Sequence, residues 1–124
     1  MDLVLVGVGG FAGAIARYVV DGLVADATSA SAFPWGTLVI NLSGSFLLGL
    51  LTALVLDRAA LPSSLRGPIL IGFIGAYTTF STFMLESWRL VEAGSYGLAM
   101  ANLAASVGLG LGAVFAGLVI GRAI

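Results

Sequence analysis

The distribution of charge constrains this chain before any other feature does. No Asp, Glu, Lys or Arg occurs between Asp26 and Asp57, between Arg66 and Glu86, or between Glu92 and Arg122. The apolar part of the first gap, 36–56, is 21 residues long, and the other two gaps hold 19 and 29 residues. About 20 mostly apolar residues cross the hydrocarbon core of a bilayer, so each gap predicts a spanning helix. Residues 3–24 are equally apolar, with Arg17 and Asp21 toward their end, and supply a fourth. The predicted spans, about 3–24, 36–56, 67–87 and 96–121, make residues 1–124 a single all-α integral membrane domain.

The segments between the spans carry turn and interface chemistry: Ala27 to Pro34 is a Ser/Ala/Thr linker, Asp57 to Pro68 holds two prolines and two arginines, and Glu92 to Tyr96 is a short Gly/Ser connection. Charged residues make up 9% of the chain, against about 25% in soluble domains. Histidine and cysteine are absent, which removes disulfides, zinc sites, thiolate chemistry and histidine acid–base catalysis. The chain is therefore not expected to be an enzyme. Five arginines against six acids form no basic patch for nucleic acid. The first charge is Asp2, so the apolar N-terminus lacks the positive leader of a signal peptide and is expected to belong to the mature fold.

Gly7, Gly9 and Ala12 outline a dinucleotide-binding turn. Nothing downstream alternates strand with amphipathic helix, and the better reading is that Gly9 and Gly13 form a small-xxx-small face for close helix packing. Orientation is weakly specified. With four crossings, Arg58, Arg66 and Arg122 fall on the side of the termini, and Arg17 and Arg89 at or near the other, a slender positive-inside bias. Tyr18, Trp35, Trp88 and Tyr96 all fall at the latter side, whereas aromatic belts normally mark both interfaces. Two copies inserted in opposite directions would supply both belts, which predicts an antiparallel, dual-topology homodimer.

Every acid (Asp2, Asp21, Asp26, Asp57, Glu86, Glu92) lies at a predicted span end or in a loop. Such placement argues against a small proton-coupled exporter of cations, the alternative that size and dual topology invite, because that mechanism needs a buried carboxylate. The spans instead carry hydrogen-bond donors: Asn41, Ser43 and Ser45 in the second, Asn102 and Ser106 in the fourth. These serve equally as glue between helices or as an anion path. Arg17 either snorkels to the interface or makes an electropositive vestibule. The third span places Thr78, Thr79, Ser81 and Thr82 around Phe80 and Phe83, behind Gly72 and Gly75. Glycine, Ser and Thr weaken a helix, so a break within 75–79 is expected at the bilayer midplane, where irregular backbone persists only if it lines a cavity or binds something. Freed carbonyls suit Na+, and phenyl edges carry partial positive charge that can face a small anion.

The stretches GGFAGAIARY, GTLVINLSGSFLLGLL and GFIGAYTTFSTF, with Asn102, Ser106 and Gly110 in the fourth span, together resemble the CrcB/Fluc family of fluoride channels along essentially the whole chain. The resemblance implies an antiparallel dual-topology homodimer in the bacterial inner (plasma) membrane that exports fluoride passively and so confers fluoride resistance. By position, Phe80 and Phe83 match the family's pore phenylalanines and Asn41 its pore asparagine. Thr79, Ser81 and Thr82 match the hydroxyl track, Ser106 the fourth-span serine and Arg17 the vestibule arginine. Gly75 and Thr78 match the positions whose carbonyls, two from each subunit, hold a structural Na+. Asn102, also assigned to the pore, stands where some members have tyrosine, and Ala76 and Tyr77 replace a common Gly-Leu or Gly-Phe pair.

Overall fold

The computed structural model describes residues 2–124. Among them there is no strand, and four helical stretches are long and apolar enough to cross a membrane: Leu3–Ala27, Trp35–Asp57, Ser63–Glu92 and Tyr96–Ala123. Helix α1 is Leu3–Ala27 and α2 is Trp35–Thr52, which continues through wider π-type turns over Ala53–Asp57. Helix α3, Ser63–Arg66, runs into a π-type stretch over Gly67–Ile74 and then α4, Gly75–Tyr77. Thr78 and Thr79 have extended backbone, and α5, Phe80–Glu92, begins directly after them. Helix α6, Tyr96–Ala123, completes the chain.

Two boundaries differ from the sequence expectation, each for a local reason. The third stretch starts at Ser63 rather than near Pro68. Pro62 stands at its N-cap position, and Pro68 is buried inside it. A proline interferes with the carbonyl four residues back, and the widened π-type turns around Pro68 accommodate that loss. At the other end, α5 continues past Glu86 to Glu92, and the Trp88 indole N–H donates to Glu92 Oε1 across one turn at 3.1 Å. Glu86 therefore sits within the helix rather than at its end.

The ends of the helices are chemically specified. Asp2 caps α1, its carboxylate accepting from the Val4 and Leu5 N–H groups at 2.9 and 3.4 Å. After α5, Gly94 takes φ +77°, and Ser95 N–H to Leu90 C=O (2.8 Å) with Gly94 N–H to Val91 C=O (3.0 Å) closes the helix in a Schellman turn. That tight reversal sends α6 back along α5. An exposed ion pair, Arg122 Nε to Asp57 at 2.9 Å, ties the last helix to the end of the second stretch. Arg58 also donates to the carbonyls of Ile124 and Arg122.

Packing follows two glycine seams. Helix α1 lies on residues 67–74, and α2 lies on α6. On the first seam a methyl group at Gly9 would strike the Pro68 carbonyl, and one at Gly13 the Phe73 carbonyl. The small-residue face expected at Gly9 and Gly13 is thus in direct contact with a neighbouring backbone. On the second seam a methyl at Gly117 would meet the Phe46 carbonyl. Close backbone approach matters here because lipid tails are as apolar as leucine, so helices associate in a bilayer mainly by van der Waals contact.

Candidate functional site

The site is built where α2 passes the α4–α5 junction. Asn41, half-buried on α2, accepts from the Thr79 N–H through Oδ1 and donates to the Thr79 carbonyl through Nδ2, both at 2.9 Å. One amide side chain therefore completes both backbone groups of an extended residue that no helix can serve. Thr79 also caps α5, its Oγ1 accepting from the Thr82 N–H at 3.2 Å. Thr78 Oγ1 turns the other way and donates to the Ile74 carbonyl at 3.0 Å. In an uninterrupted helix the Thr79 and Thr82 N–H groups would be directed at the carbonyls of Gly75 and Thr78. Both donors are spent elsewhere, so those two carbonyls lose their helical partners.

A cavity of about 240 Å³ opens on this junction, lined by Asn41, Ser45, Thr78, Thr79, Phe80 and Phe83 with Gly44 beside them. Its lining contains amide, hydroxyl and phenyl groups and no carboxylate. The rings of Phe80 and Phe83 meet edge to face, with centroids 6.1 Å apart and planes inclined by 75°. Phe83 is 7% exposed, whereas Phe80 is 73% exposed. Gly44 is required to be small, because a methyl there would collide with the Thr78 methyl.

Thr79 is shared with a second cavity, of about 250 Å³, whose lining includes Arg17, Tyr18, Asp21, Thr37 and Thr82. Asp21 and Thr37 are shared in turn with a third, of about 310 Å³, which reaches Ser31, Trp35 and Glu86. Thr37 is buried and donates to Glu86 Oε1 at 2.9 Å, while Glu86 Oε2 is buried without a partner in the chain. Hydroxyl, guanidinium and carboxylate groups thus follow one another from the α4–α5 junction to the start of α2.

The structure brings Asn41, Thr79, Phe80 and Phe83 together, and sets Thr82 and Arg17 around the adjoining cavity. Asn102 and Ser106 are elsewhere. Asn102, 1% exposed, donates to Ser87 Oγ at 2.9 Å, and Ser87 donates to the Phe83 carbonyl at 2.8 Å. Ser106 reaches Asn102 Oδ1 at 3.5 Å. Neither lines any of the three cavities; Asn102 fastens α6 to α5 behind Phe83, and Ser106 braces Asn102 within α6. Ser81 is exposed and also outside the cavity linings, and Gly75 is exposed with helical backbone angles. Ser45, one of the second-span donors, lines the first cavity, and Thr37 and Glu86 line the adjoining ones although sequence reasoning did not place them there. No sequence pattern could pair Thr37 with Glu86, 49 positions apart, since only the packing of α2 on α5 joins them.

Four membrane-length helices, with polar cavities strung along a junction of extended backbone, define a multi-pass membrane protein of the transport class. Residues 4–118 match the family described as "CrcB-like protein, Camphor Resistance (CrcB)". A protein from Magnetococcus marinus named "Fluoride-specific ion channel FluC" is 48% identical over 124 residues, all of both chains. "Fluoride-specific ion channel FluC 1" of Symbiobacterium thermophilum is 45% identical over 98% of each chain, and a FluC of Solidesulfovibrio magneticus 47% identical over 93% of this chain and 91% of its own. The chain belongs to the CrcB family.

Proposed function

We propose that this protein is a fluoride-selective channel, residing in a bacterium in the plasma membrane, that lets fluoride leave the cytoplasm passively and so confers fluoride resistance. The observation that carries this reading is the cavity at Thr79. It is free of carboxylates, held open by the Asn41 amide, and lined by hydroxyls and two phenyl rings set edge to face. A small anion stripped of water there meets weak donors rather than a fixed countercharge, so it can enter without being held too tightly. The relatives named as fluoride-specific channels, similar over their full lengths, support the choice of ion. Proton-coupled cation export is the less favoured reading, because the central cavity offers no carboxylate for exchange.

Along this path Asn41 orients the junction, Phe80 and Phe83 present ring edges, Thr79 and Thr82 supply hydroxyls, and Arg17 draws anions toward the adjoining cavity. Ser81 and Ser106 extend the hydroxyl track, and Asn102 supports Phe83 from behind. The extended pair Thr78–Thr79 is the midplane break of the third span.

The working unit is an antiparallel, dual-topology homodimer. Phe80 and Gly75 are exposed on one chain, as residues completed by a second copy would be. The exposed Tyr18, Trp35, Trp88 and Tyr96 mark one interface per copy and two per inverted pair. The freed carbonyls of Gly75 and Thr78 fit a hard cation. A Na+ held by them, two from each subunit, would neutralise carbonyl dipoles that no N–H reaches and fasten the two third spans together.

Fluoride efflux tests the proposal. Purified protein in liposomes loaded with potassium fluoride, with valinomycin carrying the compensating K+, should release fluoride and retain chloride. Equal chloride release, or no release of either, would refute the channel reading.

A further inference from the structure

The Asn41 amide secures the α4–α5 junction only on its downstream side, at Thr79. On the upstream side α2 makes a second contact. Ser43 Oγ and the Tyr77 phenol oxygen lie 2.8 Å apart, and Ser43 Oγ is also 3.1 Å from the Ile40 carbonyl, to which it donates. With its own proton committed to Ile40, the serine oxygen accepts from the Tyr77 O–H. Tyr77 is 7% exposed. Its ring stacks on Phe73, with centroids 6.1 Å apart and planes 7° from parallel, and its edge lies against Gly44. Ring and hydroxyl are therefore held on three sides, one residue before the backbone turns extended.

We infer that Tyr77 and Ser43 form a second clamp, which with Asn41 brackets Thr78 and fixes the shape of the junction; both are positioning residues for conduction. The inference rests on the channel reading above. Asn41 and Ser43 both belong to α2, and Tyr77, the last residue of α4, and Thr79, the N-cap of α5, flank Thr78 on either side. With both flanking residues tethered to the same helix, Thr78 has one arrangement available, its hydroxyl back on Ile74 and its methyl against Gly44. Loosening Tyr77 frees α4 to shift along α2 while Thr79 stays held. The cavity wall at Thr78 is then lost although every lining side chain remains.

A merely structural role predicts something different. Deleting one partner of a buried hydrogen bond leaves the other unsatisfied, whereas replacing both by apolar groups of similar shape is nearly neutral. If the contact only satisfied two hydroxyls, the double variant would recover whatever the single variants lost. If it positions the junction, the double variant recovers stability and not flux.

The test compares wild type, Tyr77→Phe, Ser43→Ala, their combination and Ser43→Thr, each as detergent-purified protein. The readings are thermal unfolding, size-exclusion elution and initial fluoride efflux from liposomes. Wild-type efflux establishes the channel reading independently; a wild type that releases no fluoride refutes that reading and the inference with it. With a conducting wild type, Tyr77→Phe and Ser43→Ala should each slow efflux about tenfold while eluting unchanged. The double variant should be no slower than either single, and Ser43→Thr should keep at least half the wild-type rate. Efflux from Tyr77→Phe or Ser43→Ala within twofold of wild type would overturn the inference, as would a double variant that regains wild-type flux. Should Tyr77→Phe elute as aggregate, Ser43→Ala and Ser43→Thr decide between the same two outcomes.

Discussion

Asn41 and Thr79, 38 residues apart in sequence, exchange two hydrogen bonds, the Thr79 N–H donating to Asn41 Oδ1 and Asn41 Nδ2 donating to the Thr79 carbonyl, both 2.9 Å long. An extended residue inside a bilayer would otherwise leave both groups bare, at a cost of several kcal/mol each in the hydrocarbon core. The pair explains how irregular backbone persists between α4 and α5.

Replacing Asn41 by Ala removes both bonds at once. Each orphaned backbone group costs about 1–3 kcal/mol, so the variant should lose roughly 2–6 kcal/mol of stability and its fluoride efflux should fall below detection. Asn41→Asp keeps an acceptor for the Thr79 N–H but sets a carboxylate oxygen against the Thr79 carbonyl, and should be equally inactive. Chemical denaturation and liposome efflux check both; an active Asn41→Ala would show that the junction holds without the amide.

Phe80 and Phe83 should separate stability from conduction. Phe80, exposed on a single chain, can become Ile at a cost to that chain's own packing within about 0.5 kcal/mol, whereas buried Phe83→Ile should cost about 1–3 kcal/mol through altered shape. Both variants should slow fluoride efflux markedly while eluting at the wild-type position. Retained efflux in either would remove that ring from the path.

Gly9→Ala and Gly117→Ala place methyl groups on neighbouring carbonyls, of Pro68 and Phe46 respectively. Overpacking of this kind costs about 1–3 kcal/mol, and more where only backbone can yield. Gly7→Ala, on the same helix as Gly9 but with nothing within 4 Å, should be neutral or slightly stabilising, since alanine is favoured over glycine in a helix by about 1 kcal/mol. Thermal unfolding in detergent should place Gly7→Ala at or above wild type and the other two variants below it.

Asn102→Ala should destabilise more than it impairs conduction. It unties α6 from Ser87 and leaves a buried hydroxyl short of a partner, a cost of about 1–3 kcal/mol. Since Asn102 lines no cavity on the path, efflux per amount of folded protein should fall less than in Asn41→Ala. A loss of flux as complete as that variant's, in protein that elutes normally, would return Asn102 to the pore.

Much of the architecture was legible because a bilayer restricts a chain so severely. Once charge-free runs of membrane length are counted, helices are the only way to satisfy their backbone, and a face such as Gly9–Gly13 announces close packing. The positions of Phe83 and Asn41 could be anticipated from local composition and resemblance. Exact helix starts could not. Pro68 looks like a boundary, yet wide turns carry the helix through it, and Glu86 looks terminal until α5 is seen to continue to Glu92.

The sequence by itself determined that this chain spans a membrane with four helices, that its polar burden inside falls mainly on amides and hydroxyls, and that the third span is weakened around its threonines. Those properties follow from hydrophobicity, length and local propensity, which act along the chain. Only the tertiary structure decided which polar group each of these side chains meets. Asn41 is paired with Thr79, Tyr77 with Ser43 and Thr37 with Glu86, while Asn102 is drawn away from the cavity to hold Ser87. Such pairings depend on how far each helix slides and turns against its neighbour. That is set by glycine contacts and side-chain shape between segments distant in sequence, for which no local pattern exists.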